Sequence, residues 1–300
     1  MQDLFAVSLA KWVATHVAFP NAMVDRITPA TTTADIDQVA TFGISDQWPV
    51  TCEPFHQWVI EDSFSKGRPR WEECGAQIVN DVTPYETMKI RLLNAGHTVT
   101  GMLGSLHGYK TIDESVSDTV FAGLLRKFMD EEATPILGPV PGIDIEAYKA
   151  TLIERFTNPN IKDNLSRICS ESSSKVATFL VPTVQQNLRS MGQLSCSALV
   201  IAAWCHYSRY RKSQQGEALT IFDDKALQLH QAASASEADP LAFIKQQEIF
   251  ADLVESPDFS RIYVYFMQQL SVGTPVKTLM SELLEDASVC GQRTSLGAPL

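Results

Sequence analysis

The densest set of chemistry-bearing side chains in this 300-residue chain lies in Pro84-Tyr85-Glu86-Thr87-Met88-Lys89-Ile90-Arg91-Leu92-Leu93-Asn94-Ala95-Gly96-His97-Thr98. The apolar spacing there is helical, and Pro84 suits a first helical position. At roughly 100° per residue with Lys89 as zero, Glu86 falls near about 60°, His97 near about 80° and Asn94 near about 140°. The four polar groups therefore share one flank of a helix. Lys89 can serve as a general base if burial or cationic neighbours bring its pKa down from ~10.4 towards neutrality. Asn94 offers an amide donor to a developing oxyanion, and His97 a donor or acceptor to orient a hydroxyl. A plainer reading fits the same residues. Glu86 and Lys89 at i,i+3 form an ordinary surface ion pair on many helices, worth roughly a few tenths of a kcal/mol, with Asn94 and His97 simply solvated. Gly96 weakens a helix by ~1 kcal/mol relative to Ala, which makes more sense if something approaches its backbone closely. Spacing alone leaves both readings open.

The surrounding chain has two textures. Up to residue 83 it is mixed: a largely apolar segment at 7–18, a loop at 19–29, and a short helix started by Thr31 to Thr33 and Asp35. Two strands are expected at 56–61 and 77–82, separated by Gly67-Arg68-Pro69. From Pro84 the apolar spacing predicts helices at 85–106, 118–132, 144–156, 174–189, 196–209, 240–255, 259–270 and 275–287. The polar tail at 291–300 reads as frayed. The expected fold is mainly α, with a mixed α/β part over 1–83 and an all-helical domain over 84–300.

Composition narrows the chemistry. A net charge of -11 with no basic cluster argues against nucleic acid. No apolar run reaches the length of a membrane span, and residues 1–19 lack the layout of a signal peptide. The six cysteines and six histidines are dispersed, with no CxxC pair and no HExxH. That favours free thiols in a reducing cytoplasm over a disulfide framework or a metal site. No G-x-G-x-x-G follows a strand; Gly101, Gly104 and Gly108 have the wrong spacing and lie inside a helical pattern.

Lys89, Asn94 and His97 resemble the Lys-x4-Asn-x2-His signature of the polyol-specific long-chain dehydrogenases, of the mannitol 2-dehydrogenase type. The likeness runs over almost the whole chain and in the family's order. It takes in Phe19-Pro20-Asn21-Ala22-Met23-Val24-Asp25-Arg26-Ile27-Thr28-Pro29, Trp48-Pro49-Val50, Glu53-Pro54-Phe55-His56-Gln57-Trp58-Val59-Ile60-Glu61-Asp62, Gly67-Arg68-Pro69 and Ile153-Glu154-Arg155-Phe156. The resemblance implies that residues 1–83 are the tail of a Rossmann-type dinucleotide-binding domain and 84–300 the helical substrate domain. It implies Lys89 as the base that takes the proton from the alcohol, Asn94 as half of an oxyanion hole, His97 as a substrate holder and Glu86 as a gate for proton exit. It further implies that Arg167 and Lys175 bind the far hydroxyls of the polyol and that Asp25 and Val24 line the pocket. At i and i+8 the two cations share a helix face, unless Ser172 to Ser174 break that helix.

The implied activity is metal-independent oxidation of mannitol or a related hexitol or pentitol to the 2-ketose, with NAD or NADP as cofactor. Fructuronate and tagaturonate reductases of the same family tend to carry serine where this chain has Gly96, which favours the polyol branch over a hexuronate reductase. Because the glycine-rich turn is missing, the chain alone is expected to be nearly inactive and to hold nicotinamide weakly. A non-catalytic helical binding module is the alternative from another class. The strands near 56–61 and 77–82 would leave an exposed sheet edge, through which self-association is expected.

Overall fold

The computed structural model describes residues 2–285, with side chains from residue 7 onward. The expected tail at 291–300 lies outside them. The chain divides into two compact units, Met1–Lys89 with Pro139–Pro141, and Ile90–Gly138 with Gly142–Leu300.

The first unit begins with α1 (Gln2–His16), where Trp12 stacks on His16 at 5.2 Å between ring centroids. A three-stranded sheet follows, in the order β1 (Ala22–Asp25), β2 (Gln57–Glu61), β3 (Gln77–Val79). β1 runs antiparallel to β2, with Val24 opposite Trp58; β3 runs parallel to β2, with Ile78 opposite Ile60. The sequence pattern had placed β1 inside a loop. Four residues between Pro20 and Pro29 carry too little β-propensity to announce a strand, and the pairing with β2 decides it. α2 (Thr33–Thr41) starts where expected, on a capping box in which the Thr32 hydroxyl and the Asp35 carboxylate each accept from the other's backbone N–H. β3 stops three residues earlier than the apolar run suggests. Asp81 accepts from the Thr83 backbone N–H at 2.9 Å and turns the chain into α3 (Thr83–Lys89).

In the second unit, α4 (Ala95–His107) packs against α11 (Ser195–Tyr210), which is buried along most of its length and also carries α12 (Ala226–Ala235) and α14 (Pro257–Ser271). Three glycines explain how neighbours come so close to α4. A Cβ on Gly96 would sit 3.1 Å from the Leu125 side chain, on Gly101 2.8 Å from Ile168, and on Gly104 2.7 Å from the Ser115 hydroxyl. Gly101 and Gly104 thus serve helix packing, which accounts for a spacing that fits no nucleotide-binding turn. Around α4 lie α5 (Ile112–Ser117), α6 (Thr119–Lys127), α7 (Ile145–Phe156) and α8 (Leu165–Ile168). Then come α9 (Ser172–Lys175), α10 (Val181–Ser190), α13 (Gln247–Phe250) and α15 (Val276–Glu285).

Three helical runs differ from a regular α pattern. The expected helix 85–106 is interrupted by a π-turn at Ile90–Asn94, the run 118–132 ends in one at Phe128–Ala133, and 174–189 contains one at Val176–Leu180. The first packs against both others. Single π-turns inside α-helices cluster at functional sites. The run 240–255 is three short turns rather than a helix, broken at Ala251, whose φ is 49°. α12 appears where no helix was expected. The unit is not purely helical, because isolated bridges join Thr111 to Asn164 and Lys212 to Ala218.

Candidate active site

Lys89 is the last residue of α3, and Asn94 the last of the π-turn that follows. A π-turn takes one residue more than an α-turn, so i and i+5 become neighbours where i and i+4 would otherwise be. The expectation of a regular helix put Asn94 about 140° from Lys89. The inserted residue brings the two positions closer to one line on the helix surface. Lys89 is half-buried and Glu86 exposed. Among the described residues Lys89 makes no ion pair, with Glu86 or any other carboxylate, so the plain surface pair is not formed.

Asn94 is half-buried, and its side-chain oxygen is buried without a hydrogen-bond partner. An orphaned buried acceptor costs roughly 1–3 kcal/mol, so this oxygen is open to a donor from outside the protein. His97 stands one turn further on α4. Its ring stacks on Phe156, the last residue of α7, at 4.3 Å between centroids and 16° between planes. Phe156 is fully buried. The absence of a side chain at Gly96 lets α4 settle on Leu125 and Phe156, and this holds the imidazole against the phenyl face.

Arg167 and Lys175 do not share a helix face. α8 ends at Ile168, the chain turns through Glu171 at φ 50°, and α9 starts again at Ser172. Asp223 holds that restart, accepting from the Ser173 backbone N–H at 2.8 Å and from its hydroxyl at 2.7 Å. The two cations still come together by another route. Lys175 Nζ reaches back to donate to the carbonyls of Ile168 at 2.9 Å and Arg167 at 3.2 Å, closing the C-terminus of α8. Burial, the largest influence, holds the Lys175 ammonium below the usual lysine range, and the neighbouring Arg167 charge acts in the same direction. Arg167 forms a two-point pair with Asp163, with Nε 2.6 Å from one carboxylate oxygen and Nη2 on the other. Asp163 is fully buried, whereas the Arg167 side chain is 46% exposed. The Lys175 end of α9 runs directly into the π-turn that packs on the Asn94 π-turn.

Asp25 and Val24 are consecutive on β1 and point to opposite faces, Asp25 being 2% and Val24 57% exposed. Two features escaped the sequence reading. One is Phe156, quoted only as part of a block and not as the partner of His97. The other is Arg91 inside the first π-turn, half-buried, donating to Gln186 Oε1 at 2.8 Å while its Nη1 has no partner. A cation in the middle of an apolar helical run is the signal that could have flagged Arg91.

The sequence profile of the mannitol dehydrogenase C-terminal domain matches residues 81–271, and that of the mannitol dehydrogenase Rossmann domain matches residues 1–73. The chain belongs to the mannitol dehydrogenase family. It is 41% identical over 276 residues to a mannitol 2-dehydrogenase of Neosartorya fischeri, covering 90% of this chain and 55% of that protein. Among solved structures it is similar to the Pseudomonas fluorescens mannitol 2-dehydrogenase in ternary complex with NAD and D-mannitol, at a TM-score of 0.86 and 42% identity over 93% of this chain and 57% of that one. A substrate-free D-sorbitol dehydrogenase matches with a TM-score of 0.81 and 31% identity over 91% of this chain and 56% of that one. The chain spans about half the length of these relatives.

Proposed function

We propose that this chain is the substrate-binding and proton-transfer part of an NAD(P)-dependent polyol dehydrogenase acting on mannitol or a related hexitol or pentitol, with the 2-ketose as product. The observation that carries the reading is the Lys89 to His97 segment: an unpaired lysine followed by a π-turn that ends on Asn94, in a chain of this family.

A nicotinamide nucleotide would accept the hydride. The sequence contains no glycine-rich strand-to-helix turn for its pyrophosphate, so none of these residues is assigned to that group. What this chain supplies is the proton and the grip on substrate. Lys89 takes the proton from the reacting hydroxyl, since a secondary alcohol must lose it as the carbonyl forms and no metal need acidify it. The Asn94 amide donates to the oxygen as negative charge develops there. His97, held by Phe156, fixes the direction of the hydroxyl. Glu86, exposed one turn before Lys89, passes the proton on to solvent. Arg167 and Lys175 bind the distal hydroxyls, and Asp25 and Val24 contribute from β1. The likeness to mannitol and sorbitol dehydrogenases favours an uncharged hexitol over a hexuronate. The close approach of Leu125 to Gly96 favours it too, because a serine there would have to displace Leu125.

The test is NAD- and NADP-linked oxidation of D-mannitol, D-arabinitol and D-sorbitol by an extended form that carries the glycine-rich nucleotide-binding turn, with and without Lys89→Ala. We expect the variant to lose about 100- to 10,000-fold in kcat/KM, with partial recovery at high pH where hydroxide replaces the base. A variant within a few-fold of the wild type overturns the role of Lys89.

A further inference from the structure

A cavity lies at the far end of α4 from Asn94. It measures about 460 Å³ and is lined by His107, His206, Tyr210, Gln215, Leu270 and Pro275, among others. That volume is within the usual range for small-ligand sites, roughly 300–1,000 Å³. All of these residues belong to the second unit, and none takes part in the proposed reaction.

Its lining mixes apolar surface with polar groups and carries no charged side chain. Neither imidazole makes a hydrogen bond to the protein among the described residues. Burial, the dominant influence, holds His107 below its usual pKa and brings His206 down to about 4. Both rings are therefore neutral at pH 7, and each offers one donor and one acceptor. Two of the nearby cations are already engaged. Lys277 pairs with Asp118 at 2.5 Å, and Asp118 also accepts from the Tyr109 hydroxyl at 2.8 Å. Arg209 pairs with Glu237 at 2.5 Å and lies over the Tyr210 ring, 4.9 Å from its centroid.

The walls are also fixed in place. Gln214 donates to the Thr274 carbonyl at 3.0 Å and accepts from the Val276 N–H at 2.8 Å, tying the end of α11 to the start of α15. The Gln215 amide lies over Gly108, where a Cβ would approach to 2.8 Å. His206 packs on Tyr210 at 4.6 Å, and His107 on Tyr109 at 4.8 Å. Preformed aromatic faces beside unused neutral donors and acceptors suit a ligand with C–H faces and many hydroxyls. None of the lining side chains carries a charge to meet an ionic ligand.

We propose that this cavity is a second, non-catalytic binding site for a small uncharged polyhydroxy compound, a polyol or sugar. Occupancy would bridge the free imidazole nitrogens of α4 and α11 and set the C-terminal end of the helix that carries His97.

The experiment reads the side-chain ¹⁵N resonances of His107 and His206 in the protein at neutral pH, assigned with His107→Gln and His206→Gln, during titration with D-mannitol. Both resonances should move with one binding curve at a Kd of the order of 1 mM. The curve should weaken several-fold in Tyr210→Ala and stay unchanged in Lys89→Ala, which separates this site from the reaction centre. In His206→Gln, the His107 resonance still reports and should show the weakened curve, so the outcome does not depend on one variant folding. The proposal is overturned if neither resonance moves, if Lys89→Ala abolishes the shifts while Tyr210→Ala leaves them, or if D-gluconate, with its carboxylate, binds as well as D-mannitol.

Discussion

Glu132 offers a sharp test of how burial and hydrogen bonding compete in this fold. It lies in the second π-turn, 1% exposed, and its carboxylate meets the N-terminus of α11. It accepts from the backbone N–H of Cys196 at 2.6 Å and of Ser197 at 3.1 Å, and from the Ser197 hydroxyl. The donors and the helix dipole favour the charged form, while removal from water opposes it. Burial wins, and the carboxyl is pushed up from 4.5 to about 7. That rise corresponds to about 3 kcal/mol in favour of the protonated form in the folded protein. Because the folded pKa is raised, this stabilisation is fully present below about pH 4.5 and is lost as pH rises through about 7. Glu132→Gln keeps the shape, keeps one acceptor oxygen within reach of both N–H groups and cannot ionise. The wild type should therefore lose about 3 kcal/mol relative to the glutamine variant between about pH 4.5 and 8. Urea unfolding followed by tryptophan fluorescence measures it, since Trp204 is fully buried on α11 between Phe243 and Phe250. Parallel stability–pH curves for the two proteins would refute the reasoning and mean that the three donors outweigh burial.

Two further substitutions probe the backbone and the helix packing. Ala251 holds φ 49° and ψ -126°, a region glycine enters freely, so Ala251→Gly should stabilise by about 1 kcal/mol, read as a raised Tm. Gly104→Ala would place a methyl 2.7 Å from the Ser115 hydroxyl and 2.9 Å from Leu165, and should destabilise by about 1–2 kcal/mol despite the better helix propensity of alanine. A Tm at or above the wild-type value would show that α4 can move away from α5 and α8 at no cost.

The sequence by itself determined the family, through an ordered series of blocks, and the broad division into a mixed first part and a helix-rich second part. Helix starts were legible wherever a cap is local, as at Thr32 with Asp35, because the interaction lies within four residues. It also named the set Lys89, Asn94, His97, Arg167 and Lys175, although nothing in helical spacing distinguished that set from a solvated face. Tertiary structure decided the rest. β1 exists because β2 supplies its hydrogen-bond partners, a non-local pairing that four residues cannot signal. Val24 and Asp25 part to opposite faces for the same reason. The π-turns leave no mark on a 3.6-residue period read along the chain; they appear where three helical segments pack together. Arg167 and Lys175 meet through a helix end and a reversed turn rather than a shared face. The chemistry of a side chain is written in its type, but whether an amide is left unsatisfied or an imidazole is backed by a phenyl ring depends on residues distant in the chain. For Asn94 and His97 that question is settled by packing alone.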